Sequence, residues 1–412
     1  MELHEGSLFW PGTVKDDRPF GEKEPDGRVY GAAVIGGGMS GAISAAVLSG
    51  EGLDVALIDG RAIGAGSTSA NTGLLQYSND IMLHELADQI GWEKAVRFYR
   101  GCAEAMDGLG QLAEKMDLDS SYISRSSLYY ASREDDREKV RCEYEALRKN
   151  GFRADYWDEP EIGHRFPFQK PCAIVTHGDA EVNPLAYCRG AARLAERRGA
   201  DIFEETKVAG LARVEGLIQI RTGRGTILAE RVVLATGYSH TLLADHSVKN
   251  LNRTFAIATE PVNDLSFWHD HMMIWETKRP YLYARTTADN RIIIGGLDQE
   301  TVSMPQSIER IREKGIRLES ALAGLFPDLD VDVSHIWTAV FGESDDNLPM
   351  IGRHPEEKDV YYLLGLGGNG TVYSMMGAGV IADLMRGKES LLSDIVDPAG
   401  RARFWRMADR EE

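Results

Sequence analysis

Strand, glycine turn, helix, strand and acid follow one another in residues 29–59, VYGAAVIGGGMSGAISAAVLSGEGLDVALID, and this order constrains the chain more than any other feature. The apolar run 32–35 reads as a buried parallel strand, and Gly36, Gly38 and Gly41 then spell GxGxxG as the chain enters an alanine-rich helix. Gly36 permits the tight turn, Gly38 lets backbone approach a pyrophosphate, and Gly41 lets the helix pack on the strand. Met39 and Ser40 stand at the helix start, whose unpaired N–H groups suit phosphate charge. Gly50 and Gly52 end the helix, and the second strand, 54–58, runs to Asp59. An acid about 20 residues beyond the glycines accepts hydrogen bonds from an adenosine ribose. A carboxylate there also repels a ribose phosphate, which argues against NADP.

The next segment, 61–78, is rich in glycine and hydroxyl groups where an NAD enzyme continues into another helix and strand. Gly60, Arg61, Gly66, Ser67, Thr68, Asn71, Thr72, Gly73 and Leu74 are therefore candidate contacts to a pyrophosphate and a ring system. A solvated loop accounts for the serines and threonines but poorly for Gly73-Leu74-Leu75. Two distant segments favour the cofactor reading. One is an apolar strand ending in Ala235-Thr236-Gly237, within 230–239; the other is the glycine cluster that opens a helix within 365–385.

On these motifs the chain, from about residue 29 to 388, resembles the D-amino-acid oxidase, glycine oxidase and sarcosine oxidase family of FAD-dependent amine oxidoreductases. The resemblance implies an α/β fold in which a Rossmann-like FAD-binding domain is interleaved with an antiparallel-sheet substrate domain. It implies that GSTSANTG lies along the flavin, that ATG is a second nucleotide contact, and that backbone at Thr206-Lys207-Val208 meets the adenine. It also implies that the stretch around DNLPMIG, with Gly342 before it, and GGNG after it close the isoalloxazine end. Some family members attach flavin through a Cys in the C-terminal half or a His after the first nucleotide loop. This chain has no Cys beyond Cys188 and no His between Gly64 and Ser78, so non-covalent FAD is expected.

At 412 residues the chain exceeds the size at which one core keeps growing. The expected division gives the FAD-binding domain residues 1–82, 165–245 and 340–412, and the substrate domain residues 83–164 and 246–339. Helical periodicity runs through 83–116 and 134–150, whereas 255–262, 281–286 and 291–296 read as strands. A net charge of −18 disfavours nucleic acid or an anionic membrane as partner. An acidic N-terminus in place of a positive n-region, and the lack of a long apolar run, lead to the expectation of a cytoplasmic protein without a membrane span. Cys102, Cys142, Cys172 and Cys188 form no CxxC, and His269-Asp270-His271 lacks a distant fourth ligand, so no metal is expected.

In amine oxidation a hydride leaves the carbon bearing nitrogen, which requires a neutral amine and stabilisation of negative charge at the flavin's pyrimidine end. Gly367-Gly368-Asn369-Gly370-Thr371, at a helix start, suits that task. No acid–base residue is assigned, because the flavin does the hard chemistry. Glycine oxidase-like relatives carry an Arg before the DGxPxIG motif, and Phe341 occupies that place here. Phe341 cannot make the paired charge-assisted bonds of a guanidinium. Arg285 is the alternative anchor, sharing a strand face with Tyr281 and Tyr283 by the period of two, unless it pairs with Asp289 or Asp298. Gln76 is a further pocket candidate. The functions in view are oxidation of a small amine or amino acid, oxidation of a hydroxy acid or alcohol, and a flavin-binding subunit of a larger oxidase. The electron acceptor, whether dioxygen, a quinone or a protein, leaves no mark in the sequence.

Overall fold

The computed structural model describes residues 2–16, 18–20, 23–238, 250–301, 303 and 307–398, Asn250 by its backbone alone. Apolar, β-branched runs bounded by glycine form a six-stranded sheet in the order Met350–Arg353, Val360–Leu364, Val232–Leu234, Ala32–Ile35, Val55–Ile58, Asp201–Phe203. Its neighbours pair in parallel except the first two. All four residues of Ala32–Ile35 and of Val55–Ile58 are buried, as a parallel sheet covered on both faces requires. The helices Met39–Gly50 and Gly370–Met385 meet where the Ser40 and Ser374 hydroxyls approach to 2.9 Å.

A ten-stranded sheet forms the second layer. Its path runs His4–Gly6, Val333–Glu343, Asn250–Thr259, Ile292–Gln299, Leu282–Thr286, Met273–Glu276, Ile123–Tyr130, Cys172–Glu181, Leu74–Leu75, with Ala154–Asp158 added to Cys172–Glu181. It is antiparallel except between Met273–Glu276 and Ile123–Tyr130. A four-stranded sheet, Val208–Val214, Leu217–Thr222, Thr226–Ala229 and Asp26–Tyr30, completes the strands among the described residues.

Several expected boundaries shift for physical reasons. The helical stretch 83–116 is two helices, Leu83–Ile90 and Trp92–Ala113, because Gly91 adopts φ +87° between them. The strand expected to 262 stops at Thr259, before Pro261, which has no N–H for a ladder. Leu74–Leu75 and Cys172–Glu181, assigned by sequence to the nucleotide-binding portion, instead pair within the large sheet. The division expected at 164/165 falls inside the helix Glu159–Arg165, and that at 339/340 inside the strand Val333–Glu343. The division at 245/246, like Ser239, lies outside the described residues. Among the described residues no helix is long and apolar enough to cross a membrane.

Candidate active site

The turn after Ala32–Ile35 is fixed by two glycines. Gly36 has φ +110°, and a Cβ there would overlap the Ala235 carbonyl; a Cβ on Gly41 would overlap the Gly36 carbonyl. Gly41 therefore serves helix packing and does not itself line the cavity. Gly38 differs: a Cβ there meets only the Thr68 hydroxyl, at 3.3 Å, because its open side faces a cavity of about 260 Å³. No side chain caps the helix that follows, although the Met39 N–H donates to Thr68 Oγ1 at 3.0 Å.

Asp59 sits at the mouth of this turn. It accepts from the Gly37 N–H at 2.5 Å and the Arg61 N–H at 2.7 Å, and burial raises its pKa against those two bonds. Its carbonyl accepts from the Thr206 N–H at 2.7 Å, which brings the 206–208 segment beside it. Gly60 packs under Lys207, and neither Gly60 nor Val208 lines the cavity. Asp59→Ala is expected to weaken FAD by about 1–3 kcal/mol, the scale of a hydrogen bond to a charged group. An equilibrium titration of the apoprotein with FAD checks this, and unchanged affinity rejects a ribose role.

One continuous cavity gathers the dispersed sequence motifs. Its wall includes Gly36, Gly38, Met39, Ser40, Asp59 and Arg61 at one end. Gly66, Ser67, Thr68, Asn71, Thr72 and Leu74 follow along the loop, with Ala235, Thr236 and Gly237 across from the first glycines. Gly367, Gly368, Asn369, Gly370 and Thr371 lie toward the other end, with Gln76, Tyr281, Tyr283 and Phe341. The Gly342 carbonyl instead supports the glycine cluster, accepting from the Gly367 N–H at 3.1 Å. Asn369 ties that cluster to the loop, its Nδ2 donating to the Gln76 carbonyl and to Asn79 Oδ1, both at 2.9 Å. Ser67 Oγ and Gln76 Nε2 are buried without protein partners, as polar groups awaiting a bound molecule are. No side chain caps Gly370–Met385 either, so two helix N-termini open on this cavity. The described residues lining it include neither cysteine nor histidine.

Arg285 is placed elsewhere than the strand phase suggests. Its side chain is 2 % exposed and does not line the cavity. Nε donates to the Thr72 carbonyl and Nη2 to the Val182 carbonyl, both at 2.8 Å, while Nη1 lies 3.6 Å from Glu181. Its ion-pair partner is thus Glu181, not Asp289 or Asp298. Burial lowers its pKa to about 10 despite Glu181. Gly73 marks the contact: at φ +78°, a Cβ there would stand 2.7 Å from Arg285 Nη2.

The structure also brings in groups that the sequence reading missed. Trp275 and Asp298 line the same cavity, as does Asp80. Asp80 lies four residues past Gln76, and Glu343 shares a strand face with Phe341 two residues earlier, so loop continuation and period two were the available signals. Burial, then the nearby Asp80 charge, raises Glu343 to about 7; burial raises Asp298 to about 6.

Residues 32–384 match the DAO family of FAD-dependent oxidoreductases, and the chain belongs to that family. It is an FAD-dependent enzyme with the DAO-like mixed α/β fold. The chain is 27% identical to a glycine oxidase of Bacillus licheniformis, over 87% of this chain and 93% of the relative. It is 26% identical to a probable oxidoreductase, OrdL, of Rhizobium meliloti, over 96% and 93% respectively. The crystal structure of glycine oxidase from Geobacillus kaustophilus superposes with a TM-score of 0.76 at 22% identity, over 89% of this chain and 97% of that one.

Proposed function

We propose that the protein oxidises a small amine or amino acid at the carbon bearing nitrogen, in the chamber where the Gly367–Thr371 turn approaches the aromatic wall. The observation that carries this reading is one cavity continuous from the Asp59 end to Tyr281, whose hydroxyl stands 3.5 Å from a Cβ placed on Gly368. Bound in that cavity, FAD supplies the two-electron acceptor for the hydride. The chain's own part is positional and electrostatic. The uncapped N-terminus of Gly370–Met385 offers N–H groups to developing negative charge, and Trp275, Tyr281, Tyr283 and Phe341 hold an apolar substrate body and exclude water. The nitrogen must be neutral when hydride leaves, since its lone pair becomes the C=N bond. A hydroxy acid or phosphate ester is less well served, because Arg61 is the sole Lys or Arg among the described residues lining the cavity, and it lies beside Asp59.

The test is anaerobic bleaching of the FAD-loaded protein against amines, amino acids and hydroxy acids, followed by admission of air. Bleaching by an amine or amino acid is expected. Bleaching by hydroxy acids alone would overturn the reading, and the rate of recolouring in air separates dioxygen from other acceptors.

A further inference from the structure

The chamber is lined by carboxylates and aromatic rings together. Asp80 Oδ2 stands 2.5 Å from a Cβ placed on Gly368, so it borders the glycine turn directly. Asp298 projects from the strand Ile292–Gln299 beside the Thr254 hydroxyl, and its Oδ1 is buried without a hydrogen-bond partner. Glu343, held by Asn252 at 2.9 Å, lines a smaller cavity that shares Asp80, Gly367, Gly368 and Asn369 with the main one. The rings form a connected wall: Trp275 to Tyr281 at 6.5 Å and 75°, and Tyr281 to Tyr283 at 5.8 Å and 52°. Aromatic faces carry negative potential and attract ammonium groups.

The opposing charge is small. Arg279 is exposed, stacks 4.6 Å from the Tyr281 ring, and donates to the Asp80 carbonyl at 3.2 Å. It lines neither cavity. Among the described residues, Asp80, Asp298 and Glu343 thus face the Arg279 guanidinium at the rim. Asp298 Oδ1, the oxygen left without a hydrogen-bond partner, is an acceptor that the N–H of a ligand would satisfy.

Resting on the amine-oxidation reading, we propose that the preferred substrate is a diamine, with a second, protonated ammonium and no carboxylate on the carbon that loses hydrogen. The remote ammonium sits among Asp80, Asp298 and the Trp275–Tyr281–Tyr283 wall, and the neutral amine is the end presented to FAD. The C–H bond breaks with both electrons passing to FAD, the nitrogen lone pair forms C=N, and water then hydrolyses the iminium to aldehyde and ammonia. Phe341 in place of a guanidinium accords with this, as does the burial of Arg285 away from the cavity.

The experiment is anaerobic titration of the FAD-loaded protein with linear α,ω-diamines and with 1-aminoalkanes of equal carbon number, glycine and D-alanine being included. Diamines are expected to bind at least about tenfold more tightly than the monoamines, the scale of one charge-assisted bond. Asp298→Asn should remove most of that advantage, and Arg279→Gln should enlarge it. A second measurement needs no turnover. Hexane-1,6-bis(trimethylammonium) has no nitrogen lone pair, and its binding can be followed by the shift in flavin absorbance. Its affinity should fall as pH drops through about 7 to 6, because protonating Glu343 and Asp298 removes the charges that hold it, Asp80 being the third facing carboxylate and Arg279 the facing cation. Equal affinity for diamines and monoamines, an unaltered preference in Asp298→Asn, or better bleaching by glycine or D-alanine overturns the proposal. If no amine bleaches the flavin and hydroxy acids do, the amine-oxidation reading itself falls.

Discussion

Gly38→Val is expected to give a folded protein that no longer retains FAD. The added Cβ meets a single protein atom, Thr68 Oγ1 at 3.3 Å, so the fold has little to lose. The branched side chain instead occupies the cavity where backbone must approach the pyrophosphate. Overpacking of about 1–3 kcal/mol, and displacement of phosphate from the helix N-terminus, should weaken FAD on the order of a hundredfold. Gly41→Val is the contrasting variant. Its Cβ would overlap the Gly36 carbonyl inside the protein, so loss of the fold accompanies loss of cofactor. Circular dichroism with FAD titration of both variants checks this. Stoichiometric FAD in purified Gly38→Val would show that the pyrophosphate lies elsewhere.

That contrast indicates why the nucleotide end was legible in the sequence and the substrate end was not. Gly36 and Gly41 are demanded by contacts with the adjacent strand and within a few residues of chain, and Gly38 by the cavity its open side faces, and demands gathered on one turn leave a fixed spacing. Tyr283 and Arg285 share a strand phase, yet only Tyr283 faces the cavity. Phase gives a face of the sheet and not what covers it. Over Arg285 lie Thr72 and Val182, residues 213 and 103 positions away in the chain. The carboxylates were hidden for a related reason. Asp80, Asp298 and Glu343 come from a loop and two strands, with nothing in the sequence to single them out from the other acids, and only the fold sets them about the main cavity and the smaller one that shares Asp80 with it.

Arg285→Leu carries the other large expected effect, on stability and on the flavin loop together. In the native protein the guanidinium satisfies the Thr72 and Val182 carbonyls and lies 3.6 Å from Glu181, which also accepts from Arg125 at 3.0 Å. Leucine leaves both carbonyls without this donor and the buried Glu181 carboxylate without the positive charge beside it. Removing one member of a buried pair costs about 3–5 kcal/mol. Because Thr72 belongs to the loop lining the cavity, FAD affinity should fall with stability, and the loss should be the same whichever substrate is later added. Arg285→Lys keeps the charge but cannot span both carbonyls with a planar fork, so it should recover part of the stability and little of the FAD affinity. Urea denaturation of the apoproteins and FAD titration measure the two effects separately. A normally stable Arg285→Leu that holds FAD but binds only carboxylate substrates more weakly would return Arg285 to the role of substrate anchor.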